Sequence, residues 1–239
     1  VALAQGADAI IPSHTERLNA DVIARLPVSV RAICSFSVGY DHIDLQAAKE
    51  RGITVTNTPD VLSDATAEIA VLLMLGAARR AHEGAQLIRT ATWREWSPTY
   101  QLGIQVTGKR LGIVGMGRVG QVVAERARGF DMEIHYHNRR RLEPELEKGA
   151  IFHDTLEDLL PRSDFLSVHC PATPDTRHLL NAERIALLPQ DAVVVNTARG
   201  TVVDDDALIA ALRSGRLFSV GLDVFNNEPD IDPRYRDLP

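Results

Sequence analysis

Apolar and polar positions alternate in two regimes along the chain. Short apolar runs of strand length, Ala9-Ile10-Ile11, residues 30–35 and Ile53-Thr54-Val55, are separated by stretches of helical spacing. One such stretch is capped by Asn19 and runs to about Leu26; another covers residues 45–51 and closes at Gly52. Strand, helix and strand joined by short links predict a small parallel sheet over roughly the first sixty residues. Pro59 interrupts the pattern. From Asp64 to about Arg89, Ile69, Leu72, Leu73, Leu75, Gly76 and Ala77 predict one long helix, apolar nearly all round its centre and therefore buried between layers or domains. Trp93, Trp96 and Tyr100 follow in a loop with Pro98. From Lys109 the alternation becomes regular. Strands are expected at 111–114, 133–137, 165–168, 192–196 and 218–222, with a weaker one at Ile151-Phe152. Helices are expected at 119–129, 156–160, 182–188 and 205–214. This predicts an α/β chain in two parts: residues 1–62, and residues 63–239 with the long helix at 64–90 lying between the domains.

Gly115-Met116-Gly117-Arg118-Val119-Gly120 is a GxGxxG string. By itself it is weak. Here it follows a strand, opens a helix, and is followed by a second strand that ends about twenty residues on, at Asn138. In that setting Gly115 permits the tight turn, Gly117 lets the backbone approach a pyrophosphate, and Gly120 lets the helix pack on the strand. Helix-start N–H groups at Arg118 and Val119 face the phosphates. The large part is therefore expected to be a Rossmann doubly wound parallel sheet that binds a dinucleotide. A strand end that prefers NAD(H) usually carries Asp or Glu. This one reads His137-Asn138-Arg139-Arg140-Arg141, with no charge at Asn138 to repel a 2′-phosphate and guanidinium groups at Arg139 and its neighbour Arg140 able to bind it. NADP(H) is expected as the preferred cofactor, with NAD(H) possible.

The 239 residues include 32 acidic and 26 basic side chains, a net charge of −6, which argues against non-specific nucleic-acid binding and against an anionic membrane surface. The longest apolar run, residues 69–75, is too short to span a bilayer. Cys34 and Cys170 are the only cysteines and lie in no metal-type spacing, so neither a metal site nor a disulfide framework is expected, and a reducing, cytoplasmic setting fits. The chain opens at Val1 in what reads as the tail of a helix and closes at Pro239 without a final helix, which predicts that both ends are cut from a longer protein.

Several further stretches carry a family resemblance. They are Ser37-Val38-Gly39-Tyr40-Asp41-His42-Ile43-Asp44, Asn57-Thr58-Pro59-Asp60-Val61, the glycine loop, His169-Cys170-Pro171-Ala172-Thr173-Pro174, Asn196-Thr197-Ala198-Arg199-Gly200, and Gly221-Leu222-Asp223-Val224-Phe225 with Glu228-Pro229. Together they resemble the D-isomer-specific 2-hydroxyacid dehydrogenases, in particular the glyoxylate/hydroxypyruvate reductase branch. The resemblance implies that residues 1–62 are part of a flavodoxin-like substrate domain and that the protein is a homodimer. It implies that Arg199 holds the substrate carboxylate and polarises the keto oxygen, and that Val38 and Gly39 offer N–H groups to the same carboxylate. Asp223 would bond the nicotinamide carboxamide. Cys170, Pro171, Thr197 and Ala198 would line the cofactor. Glu228 would pair with an acid–base histidine; read from its own neighbours alone, it is a turn residue. The family's Pro-His segment after Glu-Pro has no counterpart before Pro239, and none of the eight histidines matches it. His169 and His178 read as structural. The expected activity of the longer protein is NAD(P)H-dependent reduction of a small 2-keto acid to the D-2-hydroxy acid, whereas this chain, without that histidine, is expected to bind the cofactor with little or no turnover. The alternative is a catalytically inactive NAD(P)-binding regulatory or corepressor-like protein.

Overall fold

The structure, a computed structural model, describes residues 1–238. The chain divides into two compact units, Val1–Leu62 and a second from Ser63 onward.

In the first unit, β1 (Ala9–Ile10), α1 (Ala20–Ala24), β2 (Ala32–Cys34), α2 (Leu45–Glu50) and β3 (Thr54–Thr56) form a three-stranded parallel sheet in the order β1-β2-β3. The helix starts follow from local chemistry. Asn19 Oδ1 accepts from Val22 N–H, and Asp44 Oδ1 accepts from Ala47 N–H, both at 3.0 Å. Ile23, Ile33, Ala48 and Ile53 close the core.

The second unit begins with α3 (Ser63–Ala78) and α4 (Ala81–Arg89), and this corrects the single helix expected over 64–90. Arg80 between them takes a left-handed backbone, φ 53°. The cause is tertiary. Ile104 N–H takes the Ala78 carbonyl at 2.7 Å, where a continuing helix would have used it, and a Cβ on Gly103 would lie 2.5 Å from that same oxygen. The burial expected all round α3 is also confined to one face. Ala67, Ala70, Met74 and Ala78 are buried at spacings of three and four, while Leu72 is 63% exposed.

Next come β4 (Arg110–Val114), α5 (Arg118–Arg128), β5 (Glu133–His137), α6 (Pro144–Glu147), β6 (Ile151–Phe152), α7 (Leu156–Leu159), β7 (Phe165–Val168), α8 (Ala182–Ile185), β8 (Ala192–Asn196), α9 (Asp205–Arg213) and β9 (Leu217–Leu222). The six strands are all parallel, in the order β6-β5-β4-β7-β8-β9. Counted from β4 this is 3-2-1-4-5-6, the Rossmann-like order, with the connection reversing direction between β4 and β7. Alternate strand residues feed two cores. Ile113, Val193 and Val195 pack with α3 and α5, while Val114, Leu166 and Val194 pack with α7, α8 and α9. Across the reversal, Arg110 Nη2 donates to Asp164 Oδ1 at 2.6 Å, and its Nε and main-chain N–H both donate to Oδ2 at 3.0 Å.

Candidate functional site

In an open parallel sheet, ligands bind beyond the carboxyl ends of the strands, at the point where the strand order reverses. Here that point is the end of β4, and the glycine loop occupies it. Each glycine is required for a different reason. Gly115 has φ +91°, and a Cβ on it would lie 2.7 Å from the Cys170 nitrogen, so the loop rests on the segment after β7. A Cβ on Gly120 would lie 2.6 Å from the Gly115 carbonyl, which fixes how closely α5 meets the loop. A Cβ on Gly117 would meet nothing within 4 Å. Gly117 is also the N-cap of the eleven-residue α5, and no side chain caps that helix start. Open space in front of uncapped helix N–H groups is the cradle that a pyrophosphate needs, so the residues present fit a dinucleotide.

These contacts separate the roles of the glycines. Gly117→Ala is expected to leave the thermal midpoint unchanged and to weaken dinucleotide binding at least tenfold. Gly120→Ala is expected to destabilise the fold by about 1–3 kcal/mol through overpacking. Thermal unfolding and cofactor titration of both variants check this, and equal behaviour of the two would refute it.

The end of β5 divides the three arginines. Arg141 donates from Nε and Nη2 to Glu147 Oε1 and Oε2 at 2.7 and 3.0 Å. Tyr136 donates its hydroxyl to Glu147 Oε1 at 2.6 Å and accepts from Leu142 N–H. The Arg141 guanidinium, with the Tyr136 hydroxyl, holds the Glu147 carboxyl down at about 2; burial, with that same bond, pushes the Tyr136 phenol up to about 12. Arg141 is therefore engaged in structure. Arg139 and Arg140 are exposed, and among the described residues neither makes an ion pair. Asn138, expected to face the ribose, points its Oδ1 at the glycine loop and accepts from Met116 N–H at 2.7 Å.

After β7, His169 bridges Ser167 Oγ at 2.8 Å and Thr197 Oγ1 at 3.2 Å, which ties the ends of β7 and β8 together. Burial lowers its pKa to about 4, so it is neutral at working pH, a structural histidine and not an acid–base group. Burial raises the neighbouring Cys170 thiol to about 11, which leaves it an inert lining group. His178 lies 3.6 Å from Asp204. A second histidine pair sits away from this edge, with His135 Nδ1 2.9 Å from His153 Nε2 and burial lowering both pKa values. His135 Nε2 lies 2.9 Å from the Glu133 carboxylate but makes no hydrogen bond.

For His135, His153 and His169 the native pKa is below the unfolded value of about 6.5. Below that pH the unfolded chain binds more protons than the native one, so their stabilisation is complete above pH ~6.5 and is lost as pH falls through the lowered native values, which for His169 lies at about 4. The thermal midpoint should fall over that window. A midpoint flat between pH 7 and 4.5 would contradict the assignment.

At the end of β8, Asn196 is 1% exposed. Its Oδ1 accepts from Ala198 N–H at 3.0 Å, and its Nδ2 donates to the Arg199 carbonyl at 3.0 Å. Arg199 is half-buried, with Nη1 donating to the Ala198 carbonyl at 2.7 Å. Asp223, just past β9, is exposed, and its N–H donates to the Asn196 carbonyl at 3.1 Å. Glu228 is exposed, and its Oε1 accepts from Phe225 N–H at 2.5 Å, so its carboxylate closes its own turn. The second unit thus gathers the glycine loop, Cys170, Thr197, Ala198, Arg199 and Asp223 along one edge of its sheet.

In the first unit, Val38 and Gly39 lie in a loop whose carbonyls are both held. Asn57 Nδ2 donates to Val38 O at 2.8 Å, and Ser37 Oγ donates to Gly39 O at 2.5 Å. Buried Ser35 joins Ser37 to His42. Asn57, Ser37 and Asn196 were not singled out by sequence reasoning. The signal for Asn196 was available, because an Asn at a strand end commonly bonds the backbone two residues on. No group of His, Cys, Asp and Glu suited to a metal occurs among the described residues, and none of the helices described is long and apolar enough to cross a membrane.

Residues 71–239 match the family model described as D-isomer specific 2-hydroxyacid dehydrogenase, NAD binding domain. The chain is 48% identical over 238 residues to a glycerate dehydrogenase from Hyphomicrobium methylovorum, covering 99% of this chain and 74% of that protein. It is 45% identical over 227 residues to a glyoxylate reductase from Pyrococcus horikoshii, covering 93% and 67%. The crystal structure of a glyoxylate reductase from Paecilomyes thermophila superimposes with a TM-score of 0.89 at 42% identity, over 96% of this chain and 70% of that one. The chain thus spans about two thirds to three quarters of the length of these relatives.

Proposed function

The chain belongs to the D-isomer specific 2-hydroxyacid dehydrogenase family, and from that premise we propose that it reduces a small 2-keto acid of the glyoxylate/hydroxypyruvate type to the D-2-hydroxy acid, with NADPH preferred over NADH. The observation that carries this reading is the position of Arg199 at the carboxyl end of β8, on the same sheet edge as the uncapped start of α5. A nicotinamide dinucleotide supplies hydride from its ring when bound. Gly115, Gly117 and Gly120 with the start of α5 would hold its pyrophosphate, and Asp223 would hold its carboxamide. Arg199 pairs with the substrate carboxylate through two parallel N–H···O bonds, and its fixed positive charge stabilises the oxyanion as it forms. Val38 and Gly39 present N–H groups to a carboxylate, their carbonyls being held by Asn57 and Ser37. Glu228 is the residue that would orient an acid–base histidine, which none of this chain's eight histidines supplies. The preference for NADPH rests on Arg139 and Arg140, which stay exposed beside Asn138 while Arg141 is taken up by Glu147. A homodimer is proposed on the exposed apolar groups of the second unit, Leu72, Trp93 and Trp96, and its sedimentation mass tests it.

One observation favours a second reading, a cofactor-binding regulatory protein without turnover: the Glu228 carboxylate is bonded to its own turn. Mixing the chain with NADPH and glyoxylate or hydroxypyruvate decides between them. Loss of reduced-nicotinamide absorbance with formation of the D-hydroxy acid supports the reductase. Cofactor binding with neither turnover nor binding of any 2-keto acid to the cofactor complex supports the regulatory reading.

A further inference from the structure

We propose that Asn196 is the positioning residue for Arg199, a buried side-chain amide that shapes the turn from which the substrate-binding arginine emerges and so sets it against the end of β9 that carries the nicotinamide-binding aspartate; this rests on the reductase reading above. All five residues of β8 are buried, and Asn196 is the polar one among them. A polar side chain in such a strand is costly unless every polar group is bonded. The strand could have ended on another valine at no such cost. Both of its side-chain bonds instead lead to the functional edge. Oδ1 holds Ala198 N–H and Nδ2 holds the Arg199 carbonyl, while the main-chain carbonyl, as the last rung of the β8–β9 ladder, takes Asp223 N–H whatever the side chain. The first two bonds fold the chain into a tight turn from which Arg199 emerges. The third joins that turn to the end of β9.

Gly200 completes the coupling. A Cβ there would collide with the peptide between Phe225 and Asn226, so the Arg199 turn and the loop that carries Asp223 and Glu228 lie backbone against backbone. Neither loop can shift without the other. The reaction needs a substrate carboxylate on Arg199 and a nicotinamide held by Asp223 within hydride reach of each other, and misplacement on the scale of an ångström costs about a hundredfold in rate. The glycine loop lies on β4 and shares no bond with Asn196, so grip on the cofactor's phosphates is separable from alignment of its ring.

Asn196→Asp tests the proposal in the full chain. It keeps size and the acceptor for Ala198 N–H but sets an oxygen against the Arg199 carbonyl. The expected result is an NADPH Kd within about threefold of the unmodified chain, a KM for glyoxylate at least tenfold higher, and a larger primary isotope effect with deuterated NADPH. Asn196→Ser, which removes the oxygen that Asp sets against the Arg199 carbonyl, should recover part of the KM. A KM and isotope effect both unchanged would overturn the proposal, as would a Kd that rises in step with the KM. Amide exchange at Ala198 in the unmodified chain needs no variant. Strong protection supports the turn, and exchange at the rate of an open loop overturns it. If the unmodified chain binds no 2-keto acid beside NADPH, the reductase reading fails by itself; if it binds one without turnover, the Kd for glyoxylate takes the place of the KM; and in either case the exchange measurement still decides whether Asn196 holds the turn.

Discussion

Replacing Arg199 with Lys is expected to lower kcat/KM for the 2-keto acid by about 10²–10³-fold while leaving NADPH affinity within a few-fold. The lost factor is the size typical of removing one donor from a developing oxyanion. Lysine keeps the charge but offers a point donor where guanidinium offers two parallel ones, so carboxylate orientation and oxyanion stabilisation are both impaired. The Arg199 bond to the Ala198 carbonyl shows that its guanidinium is already oriented by its own turn. A lysine has no matching geometry. Steady-state kinetics combined with a fluorescence titration of NADPH reads both quantities. A loss under threefold would remove Arg199 from the reaction, whatever happened to stability.

The second large effect concerns cofactor choice. Arg139→Asp is expected to weaken NADPH binding by roughly 10–100-fold and to leave NADH binding little changed. This corresponds to losing charge-assisted hydrogen bonds worth about 1.5–3 kcal/mol and adding like-charge repulsion against a 2′-phosphate. Arg141→Ala is the informative contrast. That guanidinium pairs with Glu147, so its removal should lower the unfolding midpoint and leave the NADPH:NADH ratio where it was. If the ratio moves with Arg141 and not with Arg139, the division of labour at the end of β5 is the reverse of the one proposed. Titration of both cofactors against the three proteins is sufficient.

What the sequence made legible follows from what is local. Strand ends at Val114, His137, Val168, Asn196 and Leu222 appear where the apolar runs stop. The glycine string could be read because its tight turn, its open N-cap and its close helix start all lie within one strand–loop–helix unit, whereas the Cys170 segment on which Gly115 rests is set by the fold. The break at Arg80 could not, since it depends on Ile104 N–H capturing the Ala78 carbonyl from across a loop. Nor could the commitment of Arg141, which needs Glu147 on the four-residue helix α6. Pro144 at that helix's first turn was the available cue. His169 reads as structural from the sequence, but the bonds that make it so, to Ser167 and Thr197, and the burial that keeps it neutral are set by the fold.

The reversal of strand order at β4 also bears on how the protein comes into being. The half-sheet β4-β5-β6 is made from consecutive chain and can pair early. Its junction with β7 joins residues as far apart as Arg110 and Asp164, a separation of 54 positions. Such a closure pays its chain entropy before contacts repay it. The crevice that would receive the dinucleotide lies at that junction, so it does not exist until the two halves of the sheet have met. During synthesis the glycine loop emerges well before the Cys170 segment it rests on. A ligand that binds across both cannot assist the early steps; it can only hold the two halves together once they have closed.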